Sequence, residues 1–348
     1  MTSLIRWQLI ALVTLATAVL GRLSAVEPSQ AAEPGNDREV RAARPTWDTG
    51  YFYTEIYLEG LRQLGYKTAE VKTLDNPIFY QAVSQGDIDL WFDGYFPTHD
   101  EYKKIFGGKA RPIGYVIKGG SLQGYLVDKK TADANGIKYL EDFSRPEIAK
   151  LFDGQGTGNA DLVACPPGWG CELLVDYQLK AYGLDRAIHT IKAAYNVAMA
   201  DAVARFKEGK PIFFYTWTPN WTVGLLKPGK DVVWLETKST KLPESLKPYS
   251  NWTNVPNVEG CASNPCHMGM PYSDIRPVAN EAFLAKNPAI VRFLEVASIP
   301  FEDVLKQNAQ MNAGQNKSDD IKRHAQEWIR SHQAQFDGWL SEGRNAAK

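Results

Sequence analysis

The chain of 348 residues is poor in histidine and cysteine and carries none of the short motifs that mark common enzyme classes. It has 5 His and 4 Cys, and no G-x-S-x-G, H-E-x-x-H or phosphate-loop pattern occurs. A hydrolase needs a nucleophile beside a base, and the sequence offers no such partner to His99, a candidate base. We therefore expect a protein that is not an enzyme and that needs no cofactor.

An excess of charge and a long apolar run are also lacking. Lys and Arg number 39 against 40 Asp and Glu, so the formal net charge of -1 predicts neither nucleic acid nor an anionic membrane as the main partner. The apolar run Leu9–Leu20 follows Arg6 and is too short to span a membrane comfortably. With the small residues that follow it, this run predicts a signal peptide and cleavage region over 1–32 and a periplasmic location. An uncleaved N-terminal anchor is the alternative.

The cysteines form two close pairs, Cys165 with Cys171 and Cys261 with Cys266. In an oxidising compartment, two local disulfides are the simplest interpretation. A metal site with four cysteines is the alternative, although zinc sites prefer two to four residues between paired ligands and these pairs have more. We expect disulfides and no bound metal.

A second segment has the spacing of metal ligands, with oxygen-bearing side chains at alternate positions from Asp153 to Asp161. A calcium loop in this frame has Glu at its twelfth position, where this sequence has Ala164. A polar, glycine-rich turn is therefore the favoured interpretation, and calcium binding is the alternative.

Aromatic residues are plentiful, and several of the 10 Trp lie beside glycine or proline rather than in periodic apolar runs. Strands alternate with helices along the chain, which predicts α/β lobes with mainly parallel sheets. In open α/β sheets, ligands bind at loops that follow the carboxyl ends of strands. The candidate loops are 94–100 (GYFPTHD) after an apolar strand at 88–92, 165–172 (CPPGWGCE), and 215–221 (YTWTPNW) after an apolar strand at 212–215.

These loops combine groups that suit the two ends of a zwitterion. Aromatic faces attract a methylated ammonium, which has a diffuse charge and donates no hydrogen bond. Gly168 and Gly170 let backbone N–H groups approach a ligand closely, and Glu172 begins an apolar run that predicts a helix, whose N-terminus attracts anions. With His99 as a further donor, the loops predict a carboxylate site beside an ammonium site, as glycine betaine requires.

At this point the sequence resembles a known family, the periplasmic glycine betaine/proline betaine-binding proteins of ProU-type ABC importers. The resemblance covers nearly the whole chain after the signal region, from about Thr46 to Asn345. It implies a type II periplasmic-binding-protein fold of class α/β, with two lobes joined by two crossover segments and the ligand cleft between them. It also implies the membrane subunits of an ABC importer as partner, and we expect a monomer. The motifs that carry the resemblance are ACPPGWGCE, FFYTWTPNW, RFKEGKP, YFPTHDEY and HQAQFDGWL.

The resemblance also implies the residues of the site. Members of the family hold the trimethylammonium group in a box of three tryptophans, of which this sequence retains Trp169 and Trp217. The third falls at Tyr95, whose ring attracts cations less strongly than that of tryptophan. The carboxylate contacts carry over to His99 and to the backbone N–H groups of Gly170 and Cys171. The family's disulfide matches Cys165 with Cys171, whereas the Cys261–Cys266 loop departs from the family pattern.

Crossover segments are predicted near 123–136 and 231–236. They divide the chain into lobe 1, residues 33–126 plus 237–348, and lobe 2, residues 127–236. Two other functions fit the same features: a binder of choline or another cationic amine, and a ligand-sensing subunit for a separate receptor.

Overall fold

The structure, a computed structural model, describes residues 33–348, and the predicted signal region 1–32 lies outside these described residues. Within 33–348, no helix is long and apolar enough to cross a membrane. The strands are β1 (Glu39–Val40), β2 (Ala43–Arg44), β3 (Lys67–Thr68), β4 (Lys72–Thr73), β5 (Leu90–Phe96), β6 (Ala110–Pro112), β7 (Ile117–Ser121), β8 (Gln123–Asp128), β9 (Ala160–Val163), β10 (Ile188–Ile191), β11 (Phe213–Trp217), β12 (Val232–Trp234), β13 (Asn254–Val255), β14 (Cys266–His267) and β15 (Ser273–Asn280). The helices are α1 (Tyr51–Gln63), α2 (Asn76–Gln85), α3 (Lys103–Phe106), α4 (Lys129–Asn135), α5 (Pro146–Leu151), α6 (Gly170–Ala181), α7 (Tyr195–Lys207), α8 (Trp221–Leu225), α9 (Glu281–Ala285), α10 (Pro288–Val296), α11 (Phe301–Asn312), α12 (Ser318–Ser331) and α13 (Gln333–Ala346).

One sheet has four strands and is centred on β15, which pairs with β5, β6 and β7. Apolar residues of α1, α10, α12 and α13 form one core with this sheet. The helices approach closely because α1 has Gly60 where it meets Phe293 of α10; a Cβ atom at residue 60 would lie 2.2 Å from the phenyl ring. This packing fixes the position of β5, whose C-terminal end contributes to the cavity described below.

The other main sheet has five strands in the order β10-β9-β11-β8-β12. Its first three strands are parallel to one another, and β8 runs antiparallel to both β11 and β12. In the four-stranded sheet, all pairs with β15 are antiparallel. The prediction of mainly parallel sheets is therefore wrong for the four-stranded sheet, because β15 enters it after a long connection and runs against all of its neighbours.

The chain passes between the two sheets at Leu122, since β7 belongs to the four-stranded sheet and β8 to the five-stranded sheet. The return follows β12 through the segment 235–272, which contains only the short β13–β14 pair as strand structure. The lobe limits given by the sequence stay a prediction, and the strand pairing indicates Leu122 as the first crossing.

The strand predicted at 88–92 is longer in the structure. β5 continues through Tyr95 and Phe96, because Tyr95 lies opposite Ile275 and Phe96 opposite Asp274 in the ladder with β15. Tyr95 is therefore held on a strand rather than on a free loop, which restricts the orientation of its ring.

Both predicted cysteine pairs lie at disulfide distance. The Cα atoms are 6.0 Å apart for Cys165 and Cys171 and 5.8 Å apart for Cys261 and Cys266. Each sulfur is bonded to another sulfur, so neither pair offers a thiolate to a metal ion. The first disulfide closes the loop between β9 and α6, and the second lies beside β14.

We expect that none of the cysteines of the exported, folded protein reacts with an alkylating reagent, because all 4 are paired. Mass spectrometry after denaturation without reductant checks this expectation, and the same sample after reduction is the control that shows all of them to be reactive. Alkylation before reduction would contradict the pairing.

The segment from Asp153 to Asp161 forms a compact polar turn. Asp153 accepts hydrogen bonds from the backbone N–H groups of Thr157 and Gly158, and Asp161 accepts from those of Gly154 and Gln155. These carboxylates organise the backbone of their own loop, as the favoured interpretation of the sequence requires.

Candidate functional site

A cavity of about 40 Å³ lies between the two main sheets. It brings together all the ligand-binding residues named from the sequence, from both sides of the Leu122 crossing. Its wall is largely aromatic, with polar groups at one end. The lining residues are Trp47, Tyr95, Thr98, His99, Ser121, Gln123, Trp169, Gly170, Cys171, Tyr215 and Trp217.

Three indole rings form a continuous wall of this cavity. The centroid of Trp169 lies 5.1 Å from that of Trp47 and 5.5 Å from that of Trp217, and both pairs meet edge to face at 69° and 81°. Each of the three residues is at most 7% exposed. Edge-to-face contacts leave neighbouring rings at steep angles, so their faces enclose a volume from several directions.

Tyr95 adds a fourth ring, with its centroid 6.1 Å from that of Trp47. Its hydroxyl oxygen and the Nε1 atom of Trp217 are buried and have no hydrogen-bond partner within the described part of the chain. Burial raises the pKa of the Tyr95 phenol well above its usual value, so the ring is neutral.

Trp47 was not identified from the sequence, although the structure gives it a central position. It donates from Nε1 to Asp93 Oδ2 at 2.8 Å, and its ring contacts the rings of both Trp169 and Tyr95. Like the aromatic residues of the other loops, Trp47 follows a strand, since it lies between β2 and α1. Its position after a strand could therefore have identified it. A strand of two residues is too short to be recognised from an apolar pattern.

His99 lies behind Tyr95 with both ring nitrogens in contact with neighbours. Nδ1 accepts from the backbone N–H of Tyr95 at 3.2 Å and lies 2.8 Å from the Tyr80 hydroxyl. Because a backbone N–H only donates, the ring proton is on Nε2, which lies 2.8 Å from the Asn76 amide. We therefore orient that amide with its oxygen toward Nε2, which also gives Asn76 Oδ1 a partner.

Burial lowers the pKa of His99 to about 3, so the imidazole is neutral in ordinary buffers. The Nε2 edge of the ring faces the beginning of α6. A Cβ atom at Gly170 would lie 2.8 Å from His99 Cδ2 and 3.2 Å from His99 Nε2. Glycine at this position therefore lets the backbone of α6 approach the imidazole directly.

The first N–H groups of α6 belong to Gly170 and Cys171, both of which line the cavity. No side chain caps this helix end: the N-cap residue Trp169 accepts from the N–H of Glu172 through its backbone carbonyl oxygen, and its indole accepts no hydrogen bond. Helix N-termini carry free N–H groups and a partial positive charge. They form a cluster of neutral donors at one end of an aromatic cavity, beside His99, whose Nε2 proton is donated to Asn76 Oδ1.

The loop before α6 is fixed from several sides. The Cys165–Cys171 disulfide closes it, and the N–H of Gly168 donates to Glu172 Oε2 at 2.9 Å. Lys192 Nζ lies 2.9 Å from Glu172 Oε1 and holds that carboxylate. These contacts orient the donor cluster before any ligand enters, which lowers the cost of binding.

Hydrogen bonds join the two sides of the cavity at its edge. Trp169 Nε1 donates to Thr46 Oγ1 at 2.9 Å, and Asn196 Nδ2 donates to Asp48 Oδ2 at 2.8 Å. Gln123 Nε2 donates to Thr98 Oγ1 at 2.5 Å on the floor of the cavity. The structure is therefore in a closed arrangement, with the rings of Trp47 and Trp169 in contact across the cavity.

Comparisons with known proteins agree with this architecture. A family model described as the substrate binding domain of ABC-type glycine betaine transport system matches residues 38–331. The glycine betaine-binding periplasmic protein OusX of Dickeya dadantii is 37% identical over 316 residues, which cover 90% of this chain and 92% of that protein. The glycine betaine/proline betaine-binding periplasmic protein of Escherichia coli is 38% identical, with coverage of 90% and 93%. A solved ABC-transporter choline-binding protein in complex with choline has a TM-score of 0.68 at 16% identity, over 89% of this chain and 96% of that chain.

Two α/β lobes with a cavity between them have the type II periplasmic-binding-protein fold, and the fold prediction is confirmed. The chain belongs to the family of substrate-binding domains of ABC-type glycine betaine transport systems. It is a transport protein and not an enzyme, as the sequence predicted.

Proposed function

We propose that this protein captures glycine betaine, or a closely related quaternary-ammonium osmolyte, and delivers it as a monomeric receptor to the membrane subunits of an ABC importer. The observation that carries the proposal is a cavity with four aromatic rings along its wall and free N–H donors at one end. Relatives at 37% and 38% identity bear the names of glycine betaine-binding proteins, which supports the same ligand class here.

The aromatic wall suits the trimethylammonium group. A quaternary ammonium donates no hydrogen bond and is weakly hydrated, so ring faces replace its water at little cost. The proposed box consists of Trp169 and Trp217, named from the sequence, together with Tyr95 and the additional Trp47. A primary ammonium such as that of glycine would lose hydrogen bonds to water in this wall, and we expect it to bind poorly.

The donor cluster suits the carboxylate. Gly170 and Cys171 contribute N–H groups of the α6 N-terminus, and His99 contributes its Nε2 proton when the bound carboxylate replaces Asn76 Oδ1 as the acceptor. All these donors are neutral, so they compensate an anion through oriented dipoles rather than through a formal charge. A zwitterion therefore binds without changing the net charge of the cavity.

A ligand panel tests this function: glycine betaine, proline betaine, choline, carnitine, proline and taurine in a thermal-shift assay, followed by calorimetry. We expect the largest stabilisation from glycine betaine or proline betaine, because only ligands with both a quaternary ammonium and a nearby carboxylate use both ends of the cavity. Taurine lacks the methyl groups and serves as the control. No shift with any quaternary ammonium would contradict the proposal.

Choline is the second candidate, because the aromatic wall suits its trimethylammonium group as well as that of glycine betaine. Choline uses the aromatic box but leaves the donors of α6 without a carboxylate. We therefore expect a lower affinity for choline than for glycine betaine. A higher affinity for choline in the same panel would reverse this order.

A further inference from the structure

A buried carboxylate lies directly behind the aromatic box. Asp93 of β5 is 0% exposed, and it accepts hydrogen bonds from Trp47 Nε1 and from the Tyr53 hydroxyl. The backbone leaves room for it only because residue 50 is glycine: a Cβ atom at Gly50 would lie 1.9 Å from Asp93 Oδ2. The position is thus built to hold a carboxylate against the edge of the Trp47 indole.

Within the described residues, Asp93 forms no ion pair with Lys, Arg or His. A buried carboxylate without a cationic partner is unfavourable as an anion, and burial raises the pKa of Asp93 to about 7. Most buried carboxylates are paired, so this one calls for an explanation.

The groups around Asp93 supply no compensating charge. The phenols that interact with it electrostatically are neutral, since burial raises the pKa of each: Tyr51 and Tyr53 of α1, Tyr80 of α2, and Tyr95 of β5. The nearby cationic and acidic side chains on adjoining segments are occupied elsewhere. Arg44 of β2 lies over the Tyr51 ring, Arg276 of β15 over the Tyr115 ring, and Asp48, before α1, accepts from Asn196.

Trp47 connects this carboxylate to the cavity. The same indole presents its N–H edge to Asp93 and its ring to the cavity, where it contacts Trp169. An anionic acceptor at the N–H edge increases the electron density of the ring, which strengthens the attraction of its face for a cation. The carboxylate also attracts the cation directly through a medium of low dielectric constant.

We propose that Asp93 is the counter-ion of the bound ammonium group and acts through Trp47, so that the protein binds net cations more tightly when Asp93 is ionised. This inference rests on the proposed function, because it requires an ammonium group in the box. Asp93 is a positioning residue: it orients Trp47 and supplies charge without lining the cavity.

The proposal predicts the direction in which the affinity for a cation changes with pH. Below pH about 7 Asp93 holds its proton in the free protein, and above it the carboxylate is an uncompensated buried anion. A bound cation favours the anion, so binding releases a proton and affinity rises with pH. Glycine betaine carries its own carboxylate, which offsets part of this attraction, so its affinity changes less than that of choline.

Calorimetric titration of choline at constant ionic strength between about pH 5.5 and about pH 8.5 tests the inference. We expect the affinity to rise about tenfold, or about 1.4 kcal/mol, because the ionised carboxylate attracts the cation. Asp93→Asn retains an oxygen that accepts from Trp47 and gains an amide that donates to Tyr53. It should abolish the rise and leave the affinity near the low-pH value of the wild type.

Asp48→Asn is the matched control, because burial also raises the pKa of Asp48, making it the rival titrating group beside Trp47. The rise with pH should persist in this variant. A flat profile for the wild type, or an Asp93→Asn profile as steep as that of the wild type, overturns the inference while leaving ligand capture itself intact. Absence of quaternary-ammonium binding at every pH overturns the proposed function instead.

If Asp93→Asn does not fold, as judged by its circular dichroism and melting curve, the wild type alone decides. Calorimetry of choline binding near pH 7 in two buffers with different ionisation enthalpies measures the protons released. A release of a substantial fraction of one proton supports the counter-ion role. Equal enthalpies in the two buffers overturn it.

Discussion

Replacing Trp217 with alanine is expected to weaken the binding of glycine betaine by about a hundredfold or more. Trp217 is 6% exposed and its ring meets Trp169 at 5.5 Å, so its removal opens one wall of the box to water. A desolvated cation–π contact contributes about 2 kcal/mol, and the lost apolar contact adds to it. A hundredfold change corresponds to about 2.7 kcal/mol. Isothermal titration calorimetry measures the loss.

A second tryptophan of the same sheet provides the matched control. Trp234 of β12 is 3% exposed and packs against Gly124, and it does not line the cavity. Alanine at either position leaves a void that costs about 3–5 kcal/mol of folding free energy. Only Trp217→Ala should lose affinity at a temperature where both variants are folded, and Trp217→Phe should retain part of it. Equal losses from Trp217→Ala and Trp234→Ala, or wild-type affinity in Trp217→Ala, would contradict the role of the box.

The sequence predicted the part of the site that lies in loops at the ends of strands. Trp169 lies in a loop marked by prolines, glycines and a cysteine pair, and Trp217 closes an apolar strand. Such patterns are local, because turn chemistry and burial of a short strand depend on neighbouring residues. The disulfide pairs follow from the same locality, with partners only six and five residues apart.

The residues that escaped prediction are those whose role depends on distant parts of the chain. Asp93 lies within an apolar strand, and no periodicity forecasts that Trp47 and Tyr53 will hydrogen-bond its carboxylate. Asn76 begins α2, and only the fold brings it to His99. Long-range pairing of this kind is set by tertiary packing, so a single sequence identifies candidates for the cavity wall and not the layer of residues behind it.

Replacing His99 with alanine is expected to separate two ligands that share the aromatic box. Glycine betaine should lose about a hundredfold in affinity, because a hydrogen bond to a charged group contributes about 1.5–3 kcal/mol, whereas choline should lose about threefold or less. Choline has no carboxylate to contact Nε2, so its smaller loss measures any general disturbance of the cavity. Such a disturbance is expected, since the backbone N–H of Tyr95 loses its acceptor. The ratio of the two losses, measured by calorimetry on the same preparation, therefore isolates the carboxylate contact.

Tyr80→Phe is the control for this experiment. It removes the hydroxyl that contacts Nδ1 and leaves the Nε2 donor in place, so both ligands should keep most of their affinity. Because burial lowers the pKa of His99 to about 3, the imidazole stays neutral well below neutral pH, and the ratio should not change between about pH 5 and about pH 8. Any pH dependence of choline affinity in this range therefore does not arise from His99. Equal losses of betaine and choline in His99→Ala would remove His99 from carboxylate recognition and leave that task to the N–H groups of Gly170 and Cys171.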